Sequence, residues 1–218
     1  MTVDIQKAKE EFLKIYRDLI HRNGSEALLA WLNDSTDFFT APASTKYHLN
    51  VPGGLCQHSI NVYYRLADFL EEEYKYYENA KDWYNAESVA LVALFHDLCK
   101  TNMYKSGWKN QKTYDPDKVM GALPRERKHD NAGDFIWETV PTYEIDEDFT
   151  FGHGEKSVYL LMKFVRLTDE EAQAIRYHMA SYKQNDVNDC GKVFERNPLA
   201  FFLHVADEAA TFIDEGKN

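Results

Sequence analysis

Cysteine is scarce in this chain: Cys56, Cys99 and Cys190 are the only three among 218 residues. An odd number without Cys-x-x-Cys spacing points to neither a disulfide framework nor a zinc ribbon, and all three read as free thiols. Cys56 and Cys99 fall near candidate ligands but read as small buried hydrophobes. Long apolar runs are missing too, since no stretch reaches the length of a membrane span. The opening residues Met1 to Lys7 lack the basic end and apolar core of a signal peptide, so a cytoplasmic location is expected. Positive charge is also in deficit. With 25 Lys and Arg against 36 Asp and Glu, the net charge of −11 disfavours an extended nucleic-acid footprint, which draws its affinity from clustered cations. There is no internal repeat and no low-complexity segment, and nothing fixes an oligomeric state.

What remains is an ordinary globular composition, 44% hydrophobic and 28% charged, of a length that suits one domain with a substantial core. Apolar residues at helical spacing predict a helix from Ile5 to about His21, stopped by Asn23-Gly24, and a second capped by Ser25 and running through Leu32. Residues 33–54 read as an ordered loop. A long helix is expected from Leu55 to Asn79, and another from Asn85 or Ala86 toward His96. Residues 101–152 form the least regular stretch, with Trp108 to Tyr114 and Phe135 to Tyr143 as short extended segments, a possible hairpin, and prolines that exclude a long helix. Helix resumes after Gly154. Thr168-Asp-Glu-Glu171 is a capping box for the run toward His178, and Asn197-Pro198 opens a last helix that ends before Gly216. The expected fold class is all-α, a bundle of seven to nine helices with a short irregular or β-hairpin insertion. Its parts are N-terminal helices and entry loop (1–46), core (47–208) and insertion (101–152).

The chemistry is concentrated in six residues. His96-Asp97 closes the apolar run Ala90 to Phe95, and a buried imidazole beside a buried carboxylate is costly unless something pairs with both. His58, His153, His178 and Asp207 each sit beside or within a helical segment. Ligands spread over 150 residues meet only if several helices converge on one pocket. A set of His and Asp without cysteine suits Mn²⁺, Fe²⁺, Mg²⁺, Ni²⁺ or a labile Zn²⁺, and six side chains exceed what one catalytic ion takes, so two divalent ions are expected.

The order His58, His96-Asp97, His153, His178, Asp207, with the Gly53-Gly54-Leu55-x-x-His58-Ser59 entry, the His96-Asp97-Leu98-x-Lys100 core and the late Ala206-Asp207, resembles the HD-domain superfamily of metal-dependent phosphohydrolases from about Tyr47 to Glu208. The resemblance implies that His58, His96, Asp97 and Asp207 hold one ion, that His153 and His178 hold a second, and that Asp97 bridges them. It implies a phosphomonoesterase or phosphodiesterase in which a metal-bound water or hydroxide attacks phosphorus in a small phosphorylated substrate, most plausibly a nucleotide. The same six-ligand pattern also serves HD-fold di-iron oxygenases similar to myo-inositol oxygenase, and a third reading is a non-catalytic HD signalling module.

Around the ligands, Lys100 is expected to neutralise a phosphoryl oxygen beside Asp97, the alternative being a surface lysine favoured by a helix C-terminus. Lys156 at a helix opening, Arg176 and His48 are further substrate-binding candidates. Seven basic residues between Thr101 and Lys128 suggest a cationic flap for an anionic substrate or, alternatively, a solvated loop. His204 reads as a satisfied core histidine.

Overall fold

An apolar run that cannot face water on any side dictates the centre of this molecule. In the computed structural model, which describes residues 2–77, 84–147, 149, 151–180 and 187–216, every residue from Ser88 to Phe95 is buried. These residues belong to α4 (Ala86–Phe95), opened by Asn85, whose side chain accepts from the Ser88 amide. Each large apolar side chain buried in this way contributes about 1.5–3 kcal/mol, enough together to carry the polar residues that follow it into the interior. His96 and Asp97 are accordingly 0% and 3% exposed.

The chain divides into two units, one formed by residues 1–103 and 147–218 and the other by Tyr104–Asp146. The first is helical. It contains α1 (Ile5–Leu19), α2 (Ser25–Asp34), α3 (Gly54–Tyr74), α4 and a 3₁₀ turn at Leu98–Lys100. The smaller unit comprises β1 (Tyr104–Thr113), α5 (Pro116–Gly121), β2 (Lys128–Asp130) and β3 (Gly133–Ile145). The first then resumes with α6 (His153–Leu161), α7 (Asp169–Tyr177), α8 (Val187–Arg196) and α9 (Pro198–Ala209), which runs into a π-helical turn at Ala210–Asp214. In the helical unit α3 packs on α4 and α9, α7 on α9 and α6, and α6 on the 3₁₀ turn. The core is apolar and rich in aromatic edges, with Phe12 against Phe38 and Phe95 at ring separations of 5.0 and 5.9 Å.

Most expected boundaries hold. Thr168 and Glu171 form both halves of the capping box, and Asn197 caps α9 with Pro198 in its first turn. At the second helix the cap is Gly24, not Ser25. Its φ of 92° favours glycine, and a Cβ there would stand 1.9 Å from the Phe164 carbonyl oxygen, so two constraints select the same residue. Helix α3 ends at Tyr74, ahead of the expected Asn79, which lies outside the described residues. Helix α8 was not foreseen.

The all-α expectation needs amending, because the chain is mainly helical with a small three-stranded antiparallel sheet of order β1-β3-β2. Strands β1 and β3 pair over their length, from Tyr104 opposite Ile145 to Thr113 opposite Ile136, and the connection holds α5 and β2 in place of a tight turn. Pairing also corrects the cationic flap. Lys105 meets Asp146, Lys112 meets Asp130 and Lys118 meets Glu138 at 2.7 Å. Over Tyr104–Asp146 the seven basic residues are matched by eight acidic ones, five of them in residues 130–146, so the segment as a whole carries no basic excess.

A buried ion pair ties three helix starts together. The Arg22 guanidinium donates to both oxygens of Glu171 at 2.8 Å, and Glu171, 1% exposed, also accepts from Ser88 Oγ and the Thr168 amide. Burial raises the Glu171 carboxyl, but these donors outweigh it and hold the group below its ordinary value. A depressed folded-state value means that its contribution is complete above the ordinary glutamate range and is lost as pH falls through the folded value. Replacing Glu171 by Gln should cost about 1–3 kcal/mol in urea unfolding near neutral pH, and the difference from the parent should shrink in acid.

Candidate metal centre

Three imidazoles are oriented by the atoms behind them. His96 Nδ1 lies 2.8 Å from the Ala93 carbonyl and His178 Nδ1 lies 2.6 Å from the Ile175 carbonyl, one turn back on their own helices. A carbonyl only accepts, so Nδ1 carries the proton in both rings and Nε2 presents a lone pair. His58 Nδ1 is 3.1 Å from both oxygens of Glu215, which assigns its proton in the same way. All three rings are fully buried.

Their Nε2 atoms converge on carboxylates and on one another. His58 Nε2 is 3.3 Å from His96 Nε2 and 3.2 Å from Asp207 Oδ1, and His96 Nε2 is 3.9 Å from the same oxygen. Asp97 Oδ2 lies 3.7 Å from His58 and 3.6 Å from His96. The other Asp97 oxygen faces a different pair: Oδ1 is 2.6 Å from His153 Nε2 and 3.6 Å from His178 Nε2. His178 Nε2 has no hydrogen-bond partner among the described residues. A ring with no exposure whose lone pair meets nothing but other electron-rich atoms fits a cation ligand. With bonds near 2.1 Å, donors at right angles stand about 3 Å apart and opposed donors about 4.2 Å. The separations of 3.2–3.9 Å among His58, His96 and Asp207 fall in that interval, while His153 Nε2, 2.6 Å from Asp97 Oδ1, is at hydrogen-bond distance.

Charge in the protein alone reflects the same excess of acceptors. Burial works against the His58 imidazolium, yet Glu215 and Asp207 lift it to about 10, while burial pushes His96 down to about 3. Asp97 is held well below its ordinary value despite burial by Lys100, His96 and His153, and Asp207 by His58 and its neighbouring rings. His153 is lifted to about 10 against burial by Cys99 and Asp97. Protons on His58 and His153 thus offset part of the buried negative charge.

Close backbone approaches set this geometry. A Cβ on Gly154 would stand 2.3 Å from the Arg176 carbonyl, so glycine lets α6 lie against α7 and brings the His153 and His178 rings to 5.3 Å. A Cβ on Gly54 would stand 2.1 Å from the Leu49 carbonyl, fixing the entry loop on the first turn of the helix that carries His58. The Cys99 amide donates to Ser157 Oγ at 3.0 Å, pinning the 3₁₀ turn to α6.

All six expected ligands, His58, His96, Asp97, His153, His178 and Asp207, therefore converge. Lys100 Nζ sits 2.5 Å from Asp97 Oδ2, where it holds that carboxylate ionised. The His48 ring lies 4.7 Å from that of His58, and neither of its nitrogens has a hydrogen-bond partner among the described residues. Lys156 and Arg176 are engaged elsewhere, Lys156 by Glu147 and Arg176 by Glu155 at 2.6 Å while lying over Tyr177. His204 is a structural histidine, its Nδ1 2.7 Å from the His178 carbonyl and its ring stacked on Phe194. Sequence reasoning missed Glu215, which also accepts from Asn61 Nδ2 at 2.7 Å. No motif surrounds it, and only the fold brings it to His58. It also placed Cys99 with the inert thiols, although Cys99 Sγ is 3.1 Å from His153 Nδ1.

Metal ligands must shed protons, so divalent-metal affinity measured by equilibrium dialysis should rise with pH as His58 and His153 lose theirs. Glu215→Gln, which weakens the orientation of His58, should cost about 10–100-fold in affinity. Gly154→Ala should weaken retention by forcing His153 away from His178. Comparison with protein-family models, with curated proteins and with solved structures finds no match to this chain.

Proposed function

We propose that this protein is a metal-dependent phosphohydrolase of the HD-domain type acting on a small phosphorylated compound, with nucleotides as the favoured class. The observation that carries the reading is the division of one buried carboxylate between two imidazole pairs: Asp97 Oδ2 toward His58 and His96, Asp97 Oδ1 toward His153 and His178. In this reading His58, His96, Asp97 and Asp207 would hold one divalent cation, and His153, His178 and Asp97 another. Bound there, the cations would acidify water and neutralise phosphoryl oxygens, so no serine or cysteine nucleophile is required.

The residues divide the remaining work. His153 is the most open of the six, with a third of its side chain exposed, and marks the side from which substrate arrives. Lys100, whose ammonium meets Asp97 Oδ2, stands beside the proposed cations, where its positive charge would stabilise a phosphoryl oxygen as negative charge grows in the transition state. Its side chain is 12% exposed, so that contact is made with little competing water. His48 borders the His58 side, where burial and the His58 charge push it down to about 4 and keep it neutral near neutral pH. A neutral imidazole there can donate to or accept from the substrate without adding charge.

The test is a panel of nucleoside mono-, di- and triphosphates, cyclic nucleotides and sugar phosphates supplied with Mn²⁺. Release of phosphate or of a nucleoside monophosphate is expected from at least one, with Asp97→Asn lowering the rate by at least about 100-fold and Lys100→Met by about 100- to 1,000-fold. Inactivity of the metal-loaded protein toward the whole panel, or O₂ uptake without hydrolysis, would displace the proposal.

A further inference from the structure

A histidine without partners stands where the entry loop meets the carboxyl-terminal turn. Both ring nitrogens of His48 are buried and have no hydrogen-bond partner among the described residues. A buried donor or acceptor left unpaired is costly, so two on one ring mark a place for a ligand's polar atoms. The ring stands 4.7 Å from that of His58, and Lys100 and Asp97 are near enough to act on its charge. It also lines a cavity of about 210 Å³ together with Lys46, Tyr47, Thr211, Phe212 and Glu215.

Both walls of this cavity are held in place. On the entry loop the Tyr47 amide donates to Ser44 Oγ at 2.9 Å, Ser44 Oγ donates to the His48 carbonyl at 2.7 Å, and the Ala43 amide donates to the Leu49 carbonyl at 3.1 Å. Leu49 keeps a φ of 40°, which favours glycine, and its buried side chain anchors it there. The second wall is the π-helical turn, which ends on Glu215, itself taken up by His58 and Asn61.

Two aromatic rings border the cavity and both are open to water, Tyr47 at 75% and Phe212 at 70% exposure. Neither rests on another aromatic ring among the described residues, whereas the exposed rings of Phe149, Phe151 and Tyr159 cover one another. Apolar faces beside a polar imidazole match a flat heterocycle, which offers its faces to stacking and its rim nitrogens and oxygens to hydrogen bonds. Sites for whole small molecules run to about 300–1,000 Å³, so this cavity takes one ring system and leaves the rest of its bearer outside. Lys46 is exposed and has no ion-pair partner among the described residues, so the rim favours an anionic bearer.

Granted the phosphohydrolase reading above, we infer that this cavity receives the nucleobase of the substrate: Tyr47 and Phe212 stack on its faces, His48 hydrogen-bonds its edge, and the phosphate lies at the metal centre. The substrate class narrows accordingly to nucleotides whose reacting phosphate belongs to the same nucleoside as the bound base. Sugar phosphates leave the cavity empty and bind more weakly.

Ribonucleosides test the cavity with no phosphate for the centre to hold or cleave. Saturation-transfer NMR on the full chain as purified, with adenosine, guanosine, cytidine and uridine as probes, should show transfer to the base protons of at least one, and free ribose should show none. Phe212→Ala and Tyr47→Ala remove exposed side chains outside the core, so both variants should fold, and each should weaken binding of that nucleoside by about tenfold or more, the scale of base–aromatic stacking. His48→Phe, which keeps a ring and removes both nitrogens, should weaken it as well. No transfer to any nucleoside, or transfer unchanged in both aromatic variants, overturns the base site and leaves the phosphohydrolase reading to its own panel. Self-association in sedimentation that Phe212→Ala abolishes would show the rings covered by a second copy of this chain and would overturn it too. Nucleoside binding lost in the aromatic variants of a protein inactive toward every nucleotide supports the site and sinks the hydrolase reading.

Discussion

One buried carboxylate organises this protein. Asp97 lies where the apolar surface of α4 runs out, and every group around it answers to its charge: Lys100 at one oxygen, His153 at the other, and His58, His96 and His178 at distances that suit a shared cation better than a hydrogen bond. A lone carboxylate in such surroundings would cost several kcal/mol to bury. Its retention makes sense only as part of a centre whose net charge is completed by cations, whether protons on neighbouring rings or metal ions.

The fold supplies that centre from five directions. Helix α3 brings His58, the end of α4 brings His96 and Asp97, the first residue of α6 is His153, the end of α7 brings His178, and α9 brings Asp207. Four of the six thus stand at helix termini, where ordinary intrahelical packing has ended and a side chain is free to turn toward a shared interior. Two of the rings are locked by carbonyls of their own helices, so their orientation depends on the last turn of a helix and not on a loop. That rigidity is what a ligand set needs, because tenths of an ångström separate coordination from mere proximity.

Legibility in the sequence followed the range of the forces involved. The capping box at Thr168 and the Asn197-Pro198 start could be read because the groups that satisfy each other are three residues apart. The six candidate ligands could be read because histidine and aspartate beside apolar periodicity are conspicuous in themselves. What escaped depended on partners far away. Glu215 looks like any acidic residue near a chain end until the fold sets it on His58, 157 residues earlier. Gly24 took the cap from Ser25 because a carbonyl on Phe164 leaves no room for a side chain. The apparent cationic flap vanished because its lysines meet acids that come later in the chain, Asp130, Glu138 and Asp146. Helix α8 escaped although Val187, Cys190 and Phe194 recur at helical spacing, because the run is short and crossed by Asn188, Asp189 and Gly191, residue types that favour turns.

The π-helical turn after α9 sets a length rule for the carboxyl-terminal region. Asp207 and Glu215 grip opposite nitrogens of one imidazole, at 3.2 and 3.1 Å, although eight residues of regular α-helix advance about 12 Å between them. The wider winding, closed by the Glu215 amide on the Ala210 carbonyl at 3.0 Å, compresses that advance and turns the second carboxylate back toward the first. Adding or removing one residue in this span would swing Glu215 by roughly 100° around the helix axis and release the ring. The spacing of these two acids works as a caliper, so relatives of this protein are expected to vary the identity of the intervening residues far more freely than their number.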